Sequence, residues 1–186
     1  MQQSVIQATT QVGLFLINIV FNFYVTLVLL RFLLQWVKAD FYNPYCQFLI
    51  RLTNPFLVPL RRVIPGLFGI DLAAVILMLF LETLQIVLIA LISGFAINGG
   101  LIVAVILDLV VLVLQVYFWA ILIRALLSWI NPDPSHPLIQ ILDQLTFPVL
   151  KLFRRVIPAI AGIDLSPLAA LILIQVILIF IHALVG

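Results

Sequence analysis

The sequence predicts an all-α integral membrane protein with four transmembrane helices in two tandem, parallel repeats. Each repeat carries a cytoplasmic loop of interfacial or re-entrant helices. Three observations carry this: the composition, four long apolar runs, and a match of the chain to itself at a fixed offset. Hydrophobic residues make up 66% of the 186 positions and charged residues 9%. The mean hydropathy is +1.35. Soluble domains hold roughly 45–50% apolar and about 25% charged residues, so a chain this apolar would expose a large apolar surface in water. Lipid removes that cost.

A span needs about 20 mostly apolar residues, and four segments qualify: Val12–Val37, Leu72–Phe95, Leu101–Ile130 and Leu165–Val185. The third is long enough to tilt or to extend past the hydrocarbon. Ser93-Gly94 and Asn98-Gly99-Gly100 separate the second and third spans as a short polar break suited to a turn. The other two connections, Lys38–Ile70 and Asn131–Ile163, are long and alike. Between Arg31 and Leu72, 21 of 42 positions are identical to those 93 residues later, far above chance. The chain is therefore read as two domains, 1–97 and 98–186. Two spans per repeat is an even number, so both copies point the same way, related by an axis along the membrane normal.

Orientation follows from the basic residues. Lys38, Arg51, Arg61, Arg62, Lys151, Arg154 and Arg155 lie in the two long connections, and Arg31 and Arg124 on the helix turns leading into them. The positive-inside tendency puts both loops in the cytoplasm and both termini outside. Nine basic residues so placed serve topology, and the net charge of +2 gives no basic patch for nucleic acid. The segment Met1–Gln11 has no positive charge before the first apolar run, so no cleaved signal is expected. A bacterial inner membrane is the simplest address. The lone Cys46 precludes an internal disulfide and a Cys-cluster metal site; it reads as a small packed hydrophobe.

The loops have structure of their own. Asn43-Pro44 fits an N-cap followed by the first helical position. Tyr45, Phe48, Leu49 and Leu52 then recur at helical spacing, as do Leu138, Ile141, Leu142 and Leu145 in the second copy. A short amphipathic helix at the interface fits. The following Thr53–Pro65 segment, rich in proline, reads as a separate short helix lying flat or dipping into the bilayer. Asp71 and Asp164 stand just before the second and fourth spans, where each side chain can cap free backbone N–H groups.

The chain resembles the YggT family of small membrane proteins. The resemblance rests on Thr53-x-Pro55-(x)5-Arg61-Arg62-Val63-Ile64-Pro65 followed by Gly69-Ile70-Asp71, on its copy from Thr146 through Arg154, Arg155 and Pro158 to Asp164, and on Asp40–Pro44. It spans nearly the whole chain. The second copy departs at Asn131–His136, where the Phe41-Tyr42-Asn43 piece is lost. The resemblance implies an association with osmotic stress and ion homeostasis in bacteria, and, for chloroplast relatives, with assembly of a cytochrome complex.

Polar residues inside the spans are the remaining candidates. Glu82 lies about 15 Å into the second span at 1.5 Å per residue, where a lone carboxylate is costly and needs a partner or a watery cavity. Its repeat mate is Gln175. Arg31 and Arg124 lie roughly 9 Å inside the basic ends of the first and third spans, so Glu82 is expected to pair with one of them. Asn22 and Gln115 are a further repeat pair, suited to interhelical hydrogen bonds. His136 and His182 have no second His at ligand spacing, and no metal, cofactor, phosphate-loop or nucleophile–base motif is present. No enzymatic activity is expected. The expected function is a membrane adaptor or assembly factor that docks membrane lipids or other membrane proteins through Arg61, Arg62, Pro65, Arg154, Arg155 and Pro158. The alternative is a small channel or transport component, which four spans could form only as a homo-oligomer.

Overall fold

In the computed structural model, which describes residues 2–67, 69–94, 99–130, 133–157 and 164–185, the chain is a sequence of helices set by local stop and start signals. Helix α1 (Gln2–Trp36) begins ten residues before the apolar run, since nothing ahead of Gly13 breaks a helix. It ends where Lys38 takes a left-handed conformation (φ 56°). The Ala39 amide then reaches back to the Leu34 carbonyl at 2.9 Å, which satisfies one of the open carbonyls of the last turn.

The two loop helices start alike. Asp40 accepts from the Tyr42 amide at 2.9 Å, and Asp133, 93 positions on, from the Ser135 amide at 2.8 Å. The Asp133 carboxyl is held below the usual carboxylate range by these bonds from Ser135. Asn43 and His136 then cap helices α2 (Pro44–Val63) and α5 (Pro137–Val156), accepting from Tyr45 and Leu138 amides. Each has proline at its first turn, as the sequence predicts for the first copy.

One expectation fails here. The Thr53–Pro65 segment is not a second short helix: α2 runs without a break through Pro55 and Pro59, and α5 through Pro148. All three prolines sit on the exposed face. The carbonyls that lose an intrahelical donor therefore have water or head groups within reach, which keeps the cost of an interior proline low enough for the buried face to hold the helix. That buried face is Cys46, Leu49, Thr53 and Leu57 in α2, and Ile139, Leu142, Thr146 and Leu150 among others in α5.

Helices α3 (Leu72–Ser93), α4 (Leu101–Ile130) and α6 (Ser166–Val185) complete the set. Helix α3 starts at the Asp71 cap and stops at Gly94 (φ 73°), whose amide bonds the Ala90 carbonyl. Four helices, over Gln7–Trp36, Leu72–Ser93, Leu101–Ser128 and Ser166–Leu184, are long and apolar enough to cross a membrane. Phe15, Ile19, Val20 and Phe23 on α1, and Ile172, Ile179 and Phe180 on α6, point away from the core and are exposed. An apolar outer belt on long apolar helices is the surface a lipid-embedded protein needs.

Packing repeats as the sequence does. Helix α1 packs on α3, and both on α2; α4 packs on α6, and both on α5. The repeats meet where α3 and α1 touch α4, and where α5 touches α1 and α2. One core is built from α1–α4 with α5, around Val25, Val28, Leu29, Leu57 and Ala74. A second lies among α4, α5 and α6, around Ile121, Leu150 and Ala170. The sequence boundary between 97 and 98 and the residues Phe95, Pro158, Gly162 and Ile163 lie outside the described residues.

Candidate functional site

Two polar regions stand out from the apolar frame. The first is the face formed by α2 and α5. Arg61, on the last turn of α2, binds Asp71 at the start of α3; its Nε lies 3.2 Å from Asp71 Oδ2. Asp71 is buried, with 5% of its side chain exposed, and also caps α3 through the Ala74 amide. A tight turn brings these partners together. The amide and carbonyl of Leu67 and Ile70 bond each other at 2.9 and 3.2 Å, and Gly69 between them has φ 80°, a value that favours glycine. In the second repeat Arg154 Nε binds Asp164 Oδ2 at 2.8 Å, and Asp164 accepts from the Ser166 amide at 2.9 Å. Burial raises the Asp164 carboxyl, but hydrogen bonds from Ser166 and the Arg154 guanidinium outweigh it and hold it below its ordinary value.

Asp71 is the N-cap of α3, and Asp164 accepts from the amide of Ser166, the first residue of α6; each is also the acceptor of the first arginine of its pair. The second arginines, Arg62 and Arg155, are exposed and make no ion pair among the described residues. Pro65 is exposed just beyond α2; Pro158 lies outside the described residues. Elsewhere on the two loop segments Tyr42, Tyr45, Phe48 and Phe56 are exposed, and Lys151 lies over the Phe147 ring at 5.6 Å.

The expected pairing of Glu82 with Arg31 or Arg124 is not made. Both arginines turn toward the loop helices instead. Arg31 Nη1 donates to Thr53 Oγ1 at 2.6 Å and to Asn54 Oδ1 at 2.9 Å. Arg124 pairs with Asp143. The two copies differ by compensating residues: where the first has Asn54 as acceptor the second has Phe147, and where the first has Ile50 the second has Asp143. These acceptors are closer to the basic end of the spans than Glu82 is, so each guanidinium reaches them without descending further into apolar surroundings.

Glu82 instead opens into the second polar region, a half-open cavity of about 250 Å³ between α1, α3 and α4. Asn18, Asn22, Gln85, Asp108 and Gln115 line it as well. Among the described residues Asn22 makes no bond across helices; its Nδ2 donates to the Asn18 carbonyl at 2.8 Å on its own helix. The interhelical bond is made by Gln85, whose Nε2 donates to Asn18 Oδ1 at 2.9 Å. Gln175 is exposed on α6 and lines no part of the cavity. The repeat mates of α1 and α3 are thus not equivalent here, because the cavity is formed where α1 and α3 meet α4.

Asn18, Gln85 and Asp108 were not selected from the sequence as site residues. A signal was available: Asn18 and Asn22 are four apart, Glu82 and Gln85 three apart, and Asp108 and Gln115 seven apart. Each pair shares one face of its helix.

Fold and sites define a small multi-pass membrane protein built on a duplicated unit of two spans and one amphipathic loop helix. The family model described as CCB3/YggT matches the chain twice, over residues 10–92 and 103–185, matches that begin and end 93 positions apart. The chain belongs to the CCB3/YggT family. It is 37% identical over 167 residues to the uncharacterised protein YggT of Escherichia coli (strain K12), covering 88% of this chain and 85% of that one. An uncharacterised protein of Pseudomonas aeruginosa is 38% identical over 168 residues, 89% of this chain and 85% of the relative. The uncharacterised protein ycf19 of Guillardia theta is 39% identical over 66 residues, 35% of this chain and 72% of its own length. No solved structure matches.

Proposed function

We propose that the chain is a non-enzymatic membrane adaptor or assembly factor of the bacterial inner membrane. In this reading α2 and α5 lie at the cytoplasmic surface, both termini are periplasmic, and the face they form docks anionic lipid head groups. Partner proteins are recruited on that surface. The observation that carries the reading is the division of labour within each arginine pair. Arg61 and Arg154 are held by Asp71 and Asp164, whereas Arg62 and Arg155 remain exposed without an ion pair among the described residues. The first arginine fixes the end of the loop helix to the next span; the second is left for an anion outside the chain.

The surroundings support a lipid surface as the source of that anion. Basic side chains beside exposed aromatics on an amphipathic helix suit the head-group region, and each Lys or Arg near an anionic leaflet is worth about 1 kcal/mol. The same basic residues favour the cytoplasmic placement.

The test compares lipid retention by purified wild-type protein and the double variant Arg62→Gln/Arg155→Gln, using native mass spectrometry in mixed phosphatidylglycerol and phosphatidylcholine. Loss of two arginines at about 1 kcal/mol each predicts roughly thirtyfold weaker phosphatidylglycerol retention, with phosphatidylcholine unaffected. Equal retention by both proteins removes the lipid-docking role. Capture of the tagged proteins from native membranes then shows whether a protein partner depends on the same two residues.

A further inference from the structure

We propose that the cavity between α1, α3 and α4 is a binding site for one hard, oxygen-liganded divalent cation, of the Mg²⁺ or Ca²⁺ class. The proposal is independent of docking at the loop face. Six polar side chains converge on the cavity from three apolar helices: Asn18 and Asn22, Glu82 and Gln85, Asp108 and Gln115. All are placed well inside predicted membrane spans. Glu82 is 4% exposed and Gln85 6%, while Asn18, Asn22, Asp108 and Gln115 are exposed; among the described residues neither carboxylate of the cavity has a cationic partner.

Gln85 adds an independent observation at the same cavity. Its amide nitrogen is used, donating to Asn18, but its Oε1 is buried and accepts no hydrogen bond. A buried amide oxygen without a donor costs about 1–3 kcal/mol, and the buried Glu82, with no cationic partner among the described residues, adds to that cost at membrane depth. The unsatisfied atom is an oxygen, and the two carboxyl groups that share the lining add more oxygens to the same space.

The donor set defines the class. His and Cys are absent from the lining, so nothing favours zinc or copper; carboxylate and amide oxygens favour hard cations, which take six to eight oxygens in flexible sites or fewer with retained water. Two carboxylates balance one divalent charge. A cavity of about 250 Å³ has room for such an ion together with several waters. Metal sites sought by His and Cys spacing would miss it, since amides do not advertise ligation in sequence.

The experiment is thermal unfolding of the full-length protein in detergent with MgCl₂, CaCl₂, NaCl or KCl at matched ionic strength. It is paired with equilibrium dialysis against ⁴⁵Ca²⁺. Saturable stabilisation by a divalent ion is expected, with a shift of about 5–10 °C at a hundredfold excess over the dissociation constant. It should be lost in Glu82→Gln and in Asp108→Asn but retained in Arg62→Gln/Arg155→Gln, which separates the cavity from lipid or surface effects. A shift that persists in both cavity variants overturns the site. Saturation by Na⁺ or K⁺ alone overturns the charge balance assigned to it. If a cavity variant fails to fold, the dialysis decides on wild type alone: competition of bound ⁴⁵Ca²⁺ by Ca²⁺ or Mg²⁺ at one ion per chain supports the site, and no specific binding of either ion overturns it.

Discussion

At the scale of single residues, Asp71 and Asp164 occupy equivalent positions in sequence but not in energy. Both accept from a backbone amide at a helix start and both receive an arginine ten residues upstream. Asp71 has 5% of its side chain exposed and Asp164 38%. An exposed pair is screened and contributes little, whereas a buried acceptor holds its hydrogen bonds at low dielectric. Asp71→Ala should therefore cost about 2 kcal/mol, a cap plus charge-assisted bonds, and Asp164→Ala about 1 kcal/mol or less. Reversible unfolding in mixed micelles would rank them, and equal costs would refute the burial argument. Cys46 yields a second prediction. Burial pushes its thiol up, and Asp40 nearby adds to the effect, so the reactive thiolate is scarce at neutral pH. Iodoacetamide should label the folded protein at least tenfold more slowly than the unfolded chain; equal rates would place the thiol at an open surface.

At the scale of elements, four helices long and apolar enough to cross a membrane were legible because twenty apolar residues in lipid have few alternatives. The Asn43-Pro44 start of α2 was legible too, since cap and first-turn chemistry are local. The continuity of α2 was not. Proline is read from sequence as a helix breaker, but its cost depends on whether the freed carbonyl faces water or core, and that is a tertiary property. The same limit hid the cavity: carboxylates and amides on α1, α3 and α4 announce a polar face, not the neighbour it meets. Arg31 and Arg124 were assigned to Glu82 by depth alone, while the competing acceptors Thr53, Asn54 and Asp143 sit on helices whose docking the sequence did not specify. The continuous helix makes its own prediction. The second copy carries Leu152 where the first has Pro59, in a helix of the same length. Pro59→Leu should restore the bond to the Pro55 carbonyl and stabilise the protein by about 1 kcal/mol, a fraction of the roughly 3 kcal/mol an interior proline costs. A destabilised variant would mean that the proline shapes α2 for a purpose the buried face does not explain.

At the scale of the whole molecule, the two repeats are held together on both sides of the bundle. Among the spans, α4 packs against α1 and α3 and lines the polar cavity with them. At the loop helices, Asn43 Nδ2 donates to the Pro137 carbonyl at 2.8 Å, and the Asp40 amide to Gln144 Oε1 at 3.2 Å. Asn43 thus caps α2 with its oxygen and grips the start of α5 with its nitrogen. His136, its mate, caps α5 with Nδ1, and no bond of its ring to the first repeat is seen among the described residues. The duplication has been broken at this point so that one copy binds the other. If these contacts rather than the connection hold the repeats in register, halves 1–97 and 98–186 expressed together as separate chains should copurify through a tag on either one. Asn43→Ala should reduce the copurified fraction severalfold, because a cap and a cross-repeat bond at about 1 kcal/mol each are lost together. His136→Ala removes only a cap and should leave the fraction close to that of wild type. Halves that purify separately would show that the link between α3 and α4 supplies the proximity on which the cavity depends.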